Sequence, residues 1–170
     1  MVSFWQNNLK FDFGPSNEFT ICVFTGKKIY RIKIEVDCPP EKLIGALENS
    51  HDLTTWNKSL VKHEIIKEFP NGVKVSYQVT PESGPGGVIS SRDFILVVKQ
   101  GRKGNEWMEG GCSVDYPGPE SSKFVRAWNG PTGQFVRPLQ DPQKVCIHKL
   151  SSCVFIFHLV LLVSCTKNLY

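Results

Sequence analysis

Arg92 and Asp93 are the residues that most resemble a catalytic or ligand-binding pair, because a guanidinium stands next to a carboxylate. They open a segment through Phe94, Leu96 and Val98 that is typical of a β-strand. Successive side chains of a strand point to opposite faces, so the two charged groups cannot act together on one substrate atom. We therefore predict a structural role for this pair, as an ion pair or as an anchor for a neighbouring loop.

Other catalytic chemistries find no support in the spacing of the candidate groups. No histidine pairs with another histidine or a glutamate at the spacing of a metal-binding helix, the four histidines being His51, His63, His148 and His158. Ser90 and Ser91 do not stand in a Gly-x-Ser-x-Gly nucleophile motif. The Gly84-Pro85-Gly86-Gly87 segment lacks the Gly-Lys-Ser/Thr of a phosphate-binding loop. We predict no catalytic residue, no metal and no cofactor.

Length and composition indicate one ordinary globular domain, with 170 residues of which 41% are apolar and 21% charged. The net charge of +4 is spread along the chain rather than gathered in a basic stripe. This argues against nucleic acid as a partner and leaves a weak attraction to anionic membrane surfaces. Residues 1–16 lack the pattern of a secretory signal, so we expect a cytoplasmic protein whose six cysteines are reduced.

The apolar pattern predicts an antiparallel sheet of the α+β class. Residues 19–25 and 29–36 are rich in β-branched and aromatic types, and the turn between them predicts a hairpin. Pro39-Pro40 ends the second strand and opens a short helix to Glu48. Further strands are predicted at 61–69, 73–79, 88–99, 107–116, 124–128, 134–137 and 144–147, with Pro70-Asn71-Gly72 as a hairpin turn. Tight turns between neighbouring strands favour antiparallel pairing.

Four motifs between residues 56 and 142 resemble those of the START domain family, the steroidogenic-acute-regulatory-related lipid-transfer proteins. They follow the family's order and are Trp56-Asn57-Lys58, Val88 to Phe94 with its Ser-Ser-Arg-Asp-Phe, Phe124 to Pro131 with its Val-Arg-Ala-Trp-Asn-Gly-Pro, and Pro138-Leu139-Gln140-Asp141-Pro142. The second motif is the most specific. The similarity covers about residues 29–147 and is nearest to the sterol-binding members.

The resemblance implies a helix-grip fold, in which a curved antiparallel sheet wraps around a long C-terminal helix and a tunnel between them holds one lipid. It implies tunnel positions for a set of side chains, namely Trp56, Ser76, Gln78, Phe94, Leu96, Val98, Cys112 and Val114. For Trp56, packing between elements is the alternative role. The resemblance also makes the loop from Thr80 to Ser90 a lid, which Gly84, Gly86 and Gly87 would make flexible.

The sequence departs from the family's pattern where ligand recognition is decided. Ser91 stands in place of a proline, and Gln78 and Val98 stand where some sterol-binding members have a buried acidic residue and an arginine. Recognition of a sterol hydroxyl would then fall to Gln78, Ser76 or a bound water. Strand alternation places Gln78 on the other face of its strand from Val75 and Tyr77, which is the solvent side if those two residues form the core. The resemblance instead places Gln78 in the tunnel.

The two ends of the chain match the family less well than its middle. Residues 1–18 lack the usual N-terminal helix and are predicted to be irregular, residues 19–147 form the START-like domain, and residues 148–170 form an atypical apolar tail. The eleven residues from Cys153 to Val163 show neither a helical nor an alternating period. We therefore expect a chain truncated at both ends, with the long C-terminal helix missing or replaced.

These observations predict a non-enzymatic protein that binds a sterol or a phospholipid in a hydrophobic tunnel and transfers it within the cell, with transient contact to membrane surfaces. Burial of apolar lipid surface, at about 25 cal/mol per Å², would supply the binding free energy. The alternatives are a truncated START fragment with impaired binding and a lipid-sensing or regulatory module. A hydrolase or cyclase on the same scaffold would need an acid, base or nucleophile in the cavity.

Overall fold

The computed structural model describes residues 6–12, 18–24, 27–49, 53–84, 87–119 and 123–151. Its elements in chain order are β1 (Gln6–Asp12), β2 (Glu18–Phe24), β3 (Lys27–Asp37), α1 (Pro40–Glu48), α2 (Leu53–Trp56), β4 (Lys62–Phe69), β5 (Val73–Val79), β6 (Arg92–Lys103), β7 (Glu106–Ser113), β8 (Val125–Arg126), β9 (Thr132–Pro138) and β10 (Lys144–Ser151). The sheet order is β1-β2-β3-β10-β9-β7-β6-β5-β4, and β8 pairs with β6. Every pair along that path is antiparallel, which confirms the predicted α+β class with a curved sheet and short helices.

β10 joins the N-terminal hairpin to the rest of the sheet, because it pairs with β3 on one side and β9 on the other. The strand predicted at 144–147 therefore continues to Ser151, and the start of the predicted tail belongs to the sheet. Pairing on both sides holds Lys149 in a strand that its own residue type does not favour. The remainder of the tail lies outside the described residues, and so does the prediction that the long C-terminal helix is missing or replaced.

Residues 6–12 form a strand, so the prediction of an irregular segment over residues 1–18 is wrong for this part. β1 pairs with β2, with Leu9 opposite Ile21 and Phe11 opposite Phe19. The sequence of β1 contains few strong strand formers. Backbone hydrogen bonds to β2 maintain the strand, and such pairing cannot be read from the propensity of the segment alone.

Two turns show the residue types that their backbone conformation requires. Asn71 and Gly72 have φ angles of 68° and 71° in the predicted turn between β4 and β5. These left-handed values suit asparagine and glycine better than other residues. Gly104, with φ of 62°, begins the two-residue connection between β6 and β7. β6 therefore runs to Lys103, beyond the end at residue 99 that its apolar pattern predicts.

The inner face of the sheet, defined as the face that carries α1, holds the larger of the two hydrophobic cores. Leu43, Ile44 and Leu47 of α1 are buried there at helical spacing. They belong to one cluster with Trp107 of β7 and the buried residues of neighbouring strands, which are Ile32, Val36, Val136, Val145 and Ile147. α1 thus covers one end of the inner face and leaves the remainder for other contacts.

The outer face carries a second core over β5 and β6. Val75, Tyr77 and Val79 alternate along β5 and pack with Ile95 of β6. The chain that follows β7 covers them, through Val114, Tyr116 and Phe124. Because β5 is buried on this face and also faces the inner side, alternation alone does not decide which of its residues contact solvent.

An ion pair fastens the covering segment to the sheet. The Arg126 guanidinium donates from Nε to Asp93 Oδ1 at 3.0 Å and from Nη2 to Asp93 Oδ2 at 2.9 Å. Nη2 also donates to the Pro119 carbonyl at 2.7 Å. Asp93 is buried at 1% exposure. The structure thus gives Asp93 the ion-pairing and loop-anchoring role that the sequence predicts for it, and its partner lies on β8 rather than at Arg92.

Arg126→Ala is expected to lower the free energy of unfolding by about 3 kcal/mol, because it leaves a buried carboxylate without its cation. Chemical denaturation monitored by tryptophan fluorescence would measure the loss. Arg137→Ala is the matched control, since Arg137 pairs with Glu106 at an exposed site and its removal should lower stability far less. Adding Asp93→Asn to Arg126→Ala should restore part of the loss. Equal losses for the two arginine variants would contradict the proposed anchor.

Candidate functional site

A cavity opens on the inner face beside the end of α1. Its wall is built by inward-pointing residues of β4, β5, β6, β7, β9 and β10, and its rim by Leu47 and the region of α2. The lining residues are Leu47, Leu53, Trp56, Asn57, Leu60, His63, Ile65, Lys74, Ser76, Gln78, Thr80, Phe94, Leu96, Val98, Gln100, Glu109, Gly110, Gly111, Asn129, Thr132, Gly133, Gln134, Lys149 and Ser151.

One part of the cavity wall is apolar. Phe94, Leu96 and Val98 are alternate residues of β6, so all three side chains point to the inner face. Apolar residues of β4 and of the α2 region face them, including Ile65, Leu53, Trp56 and Leu60. This wall offers a hydrophobic surface to a ligand.

Six of the eight side chains predicted for the tunnel line this cavity, namely Trp56, Ser76, Gln78, Phe94, Leu96 and Val98. Gln78 Nε2 donates to Ser76 Oγ at 3.5 Å, so the two polar groups of β5 are neighbours on the wall. Gln78 therefore lines a cavity on the inner face, and its predicted role in a lipid tunnel stays a prediction. That any of these side chains contacts a lipid stays a prediction.

Cys112 and Val114 do not line the cavity, and their predicted placement there is wrong. Gly110 and Gly111 are the lining residues of this part of β7, and the Cys112 side chain has the orientation opposite to that of Glu109 because it lies an odd number of residues further along the strand. Val114 packs against the outer core over β5 and β6. The segment around two successive glycines has no apolar alternation, so its sequence does not indicate which residues face inward.

A row of polar side chains crosses the other part of the cavity wall on four neighbouring strands. Gln100 of β6 lies opposite Glu109 of β7, Glu109 opposite Gln134 of β9, and Gln134 opposite Lys149 of β10. Gln100 Nε2 donates to Glu109 Oε2 at 2.7 Å and to the Leu47 carbonyl at 3.3 Å. Gln134 Nε2 donates to Glu109 Oε1 at 3.0 Å. Both carboxylate oxygens of Glu109 are therefore held by amide donors.

Burial perturbs both charged groups of this polar row. It raises the pKa of Glu109, an effect that Gln100, Lys149 and Gln134 oppose. Burial also lowers the pKa of Lys149 from 10.5 to about 8, and the Glu109 charge opposes that change. Within the described part of the chain, the Lys149 ammonium makes neither a hydrogen bond nor an ion pair within 4.0 Å.

Sequence reasoning missed Glu109, Lys149 and their glutamine neighbours. The alternation of side chains along each strand could have indicated them. Glu109 lies on the same face of β7 as the buried Trp107, and Lys149 lies on the same face of β10 as the buried Val145 and Ile147. A charged residue two or four positions from buried residues of the same strand points to the same, core-facing side. The signal was hidden by the short predicted strand at 144–147, which ended before Lys149.

The loop predicted as a lid begins at the edge of the cavity, where Thr80 is a lining residue. Its two limbs pair through Ser83 and Ile89, whose backbone groups exchange hydrogen bonds of 3.0 Å and 2.9 Å. Gly84 and Gly87 have φ angles of 82° and 72°, which a residue with a side chain adopts only under strain. Gly86 lies outside the described residues. Opening of this loop stays a prediction.

Two other features, a metal site and a membrane-spanning helix, have no candidates in the described ranges. Over those residues, no three or more His, Cys, Asp or Glu side chains come together in a way that could hold a metal ion. Neither helix of the described chain has the length and apolar character needed to cross a bilayer.

The sheet, the short helices and the cavity define a class of protein, an α+β domain whose curved antiparallel sheet has a cavity on its inner face. The chain belongs to the START domain family, whose sequence profile matches residues 17–162. The match extends beyond residues 29–147, where the motifs show the similarity, and it includes part of the apolar tail.

Several known proteins are similar to this chain. The mitochondrial steroidogenic acute regulatory protein of Danio rerio is 30% identical over 120 residues, which are 69% of this chain and 42% of that protein. StAR-related lipid transfer protein 6 of Homo sapiens is 32% identical over 66% of this chain and 52% of that protein. The chain thus spans about two fifths to one half of the length of these relatives. The structure of human StAR-related lipid transfer protein 5 superposes with a TM-score of 0.80 at 20% identity, over 99% of this chain and 89% of that one.

The low pKa of Lys149 predicts a distinctive pH dependence of stability. Between pH 8 and 10.5 the unfolded chain binds more protons at this lysine than the folded chain does, so this group's contribution to the free energy of unfolding rises with pH. The full rise is about 3 kcal/mol. Denaturant titrations from pH 7 to 10.5 should show it in the native chain and in Lys99→Met, which alters an exposed lysine of β6. A Lys149→Met variant with the same pH profile as the native chain would refute the assignment.

Proposed function

We propose that this chain binds one lipid, a sterol or a phospholipid, in the cavity of its inner face and transfers it between membranes without chemical change. One observation carries the proposal, namely that a single cavity presents an apolar wall around Leu96 and a polar row around Glu109. Such a division fits an amphiphile, whose hydrocarbon part and polar group need different surroundings. Membership of the START domain family supports the same conclusion.

The binding free energy would come mainly from the apolar wall. A lipid that removes a few hundred Å² of its apolar surface from water gains several kcal/mol, at about 25 cal/mol per Å². Its polar group must find partners inside, because a buried hydroxyl or amide without one costs about 1–3 kcal/mol. Ser76, Gln78 and the polar row provide such partners.

Exchange of the lipid is proposed to take place at a membrane surface, through opening of the loop from Thr80 to Ser90. Val88 at the tip of this loop is 81% exposed, and the large side chain of Trp128 is 67% exposed. Exposed apolar and aromatic side chains of this kind favour the interface between water and lipid. The proposed setting is the cytoplasmic side of membranes, with peripheral and transient contact.

Native mass spectrometry of the purified chain, followed by extraction and identification of any bound lipid, tests the proposal directly. We expect a monomer with one adduct of the mass of a sterol or a phospholipid. A folded monomer that carries no lipid and takes none from vesicles would contradict it. Insoluble or heterogeneous material would instead support a START fragment with impaired binding.

Leu96→Trp should reduce lipid binding about tenfold or more, because the larger side chain occupies the apolar part of the cavity. Leu150→Trp is the matched control, since Leu150 is 39% exposed and alternates with the lining residue Lys149 toward the outer face. Fluorescence titration with a labelled sterol would measure both affinities, and circular dichroism would check the fold. Equal affinities in the two variants would place the ligand elsewhere.

A second candidate, a hydrolase or cyclase on the same scaffold, is favoured by one observation only. Glu109 and Lys149 bring a carboxyl and an amine with perturbed pKa values to the cavity wall, as such chemistry requires. Turnover of model esters should then follow a pH profile that Lys149→Met abolishes. We expect no turnover above that of the Lys149→Met variant, in agreement with a carrier.

A further inference from the structure

We infer that Lys149 binds the headgroup of an anionic amphiphile, so that the ligand of this cavity carries a carboxylate, a phosphate or a sulfate rather than a neutral hydroxyl. This inference rests on the proposed lipid-binding function and names the chemical class of its ligand. The contacts of the polar row carry it, in three steps.

The first step is that Lys149 brings a cation into the cavity and lacks a close partner in the described part of the chain. Lys149 is half-buried on the wall, and its neighbour on β9, Gln134, directs its amide to Glu109 instead. An ammonium group removed from water loses several kcal/mol of solvation unless an anion or acceptor replaces it. The depressed pKa of Lys149 reflects this incomplete compensation.

The second step is that Glu109 does not serve as the direct partner of Lys149. Gln100 and Gln134 each donate to one of its carboxylate oxygens, at 2.7 Å and 3.0 Å. Its charge acts on Lys149 only over a distance longer than that of an ion pair. The carboxylate is held by its own strands, and the ammonium remains able to donate to a ligand.

Lys149 also differs from Lys74, the other lysine of the cavity wall. Lys74 forms an ion pair with Glu68 at 3.6 Å, and Glu68 is largely exposed. Lys74 therefore has a carboxylate partner without any ligand, whereas Lys149 has none in the described ranges. An anionic headgroup adds a charge–charge attraction to the hydrogen bond from the ammonium, which a neutral hydroxyl does not supply, so Lys149 favours an anionic headgroup over a hydroxyl.

Paired ligands that share their apolar part, with an anionic headgroup in one and a neutral hydroxyl in the other, test the inference. Isothermal titration would compare cholesterol sulfate with cholesterol, and phosphatidate with diacylglycerol of the same acyl chains. We expect the anionic member of at least one pair to bind about tenfold more tightly. The pair that shows the difference identifies whether the ligand is a sterol or a glycerolipid.

Three lysine variants locate the source of the preference. Lys149→Met should remove the charge preference and Lys149→Arg should retain it, since arginine keeps the cation. Lys99→Met, on the exposed outer side of β6, should bind like the native chain. Thermal unfolding would check that each variant is folded, and Lys149→Gln replaces Lys149→Met if the latter fails to fold.

The outcomes separate this inference from the proposed function. Equal binding of charged and neutral ligands by the native chain, or a charge preference that persists in Lys149→Met, would overturn the inference and leave lipid binding in place. Failure of all four ligands to bind at all would overturn both. A preference that depends on the cation at position 149 would establish the anionic class.

Discussion

The structure depends on two neighbouring strands of the sheet, β5 and β6, that are buried on both faces. On β5, Tyr77 packs into the outer core while Ser76 and Gln78 line the inner cavity. On β6, Ile95 and Leu96 divide in the same way. Alternate side chains of these strands thus point either into the outer core or into the cavity. A shift of the register by one residue would move the core residues to the cavity wall and the cavity residues to the core. The pairing of β5, β6 and β7 therefore fixes both the stability of the domain and the chemistry of its site.

The anchor between Asp93 and Arg126 follows from this constraint. An outer core over β5 and β6 needs a cover, and the chain after β7 supplies it with Val114 and Phe124. A covering segment without extended sheet pairing needs another attachment, which the bidentate ion pair and the short β8 pairing provide. A buried ion pair is costly in itself, so its value here lies in positioning the segment more than in net stability.

Much of the fold could be predicted from the sequence, because apolar alternation and turn residues are local signals. The hairpin of β2 and β3, the helix after Pro39-Pro40 and the Asn71-Gly72 turn are of this kind. β1 and the end of β10 could not be predicted, since pairing with distant strands maintains them. The apolar wall around Leu96 was predicted from the family resemblance, whereas the polar row was not. That row exists only because register brings Gln100, Glu109, Gln134 and Lys149 together from four strands.

The polar row also changes what the family resemblance implies for recognition. The sequence lacks the acidic residue and arginine of some sterol-binding members, since Gln78 and Val98 occupy those positions on β5 and β6. Charge is present in the cavity nonetheless, on β7 and β10. A charge on the cavity wall without an ion-pair partner in the described residues is retained at a cost in stability, and a ligand of opposite charge would offset that cost on binding. The charge of this cavity thus lies on β7 and β10 instead of β5 and β6, and the Lys149 ammonium can donate hydrogen bonds to a ligand. Both features favour a ligand whose polar group lies against β10 and is negatively charged.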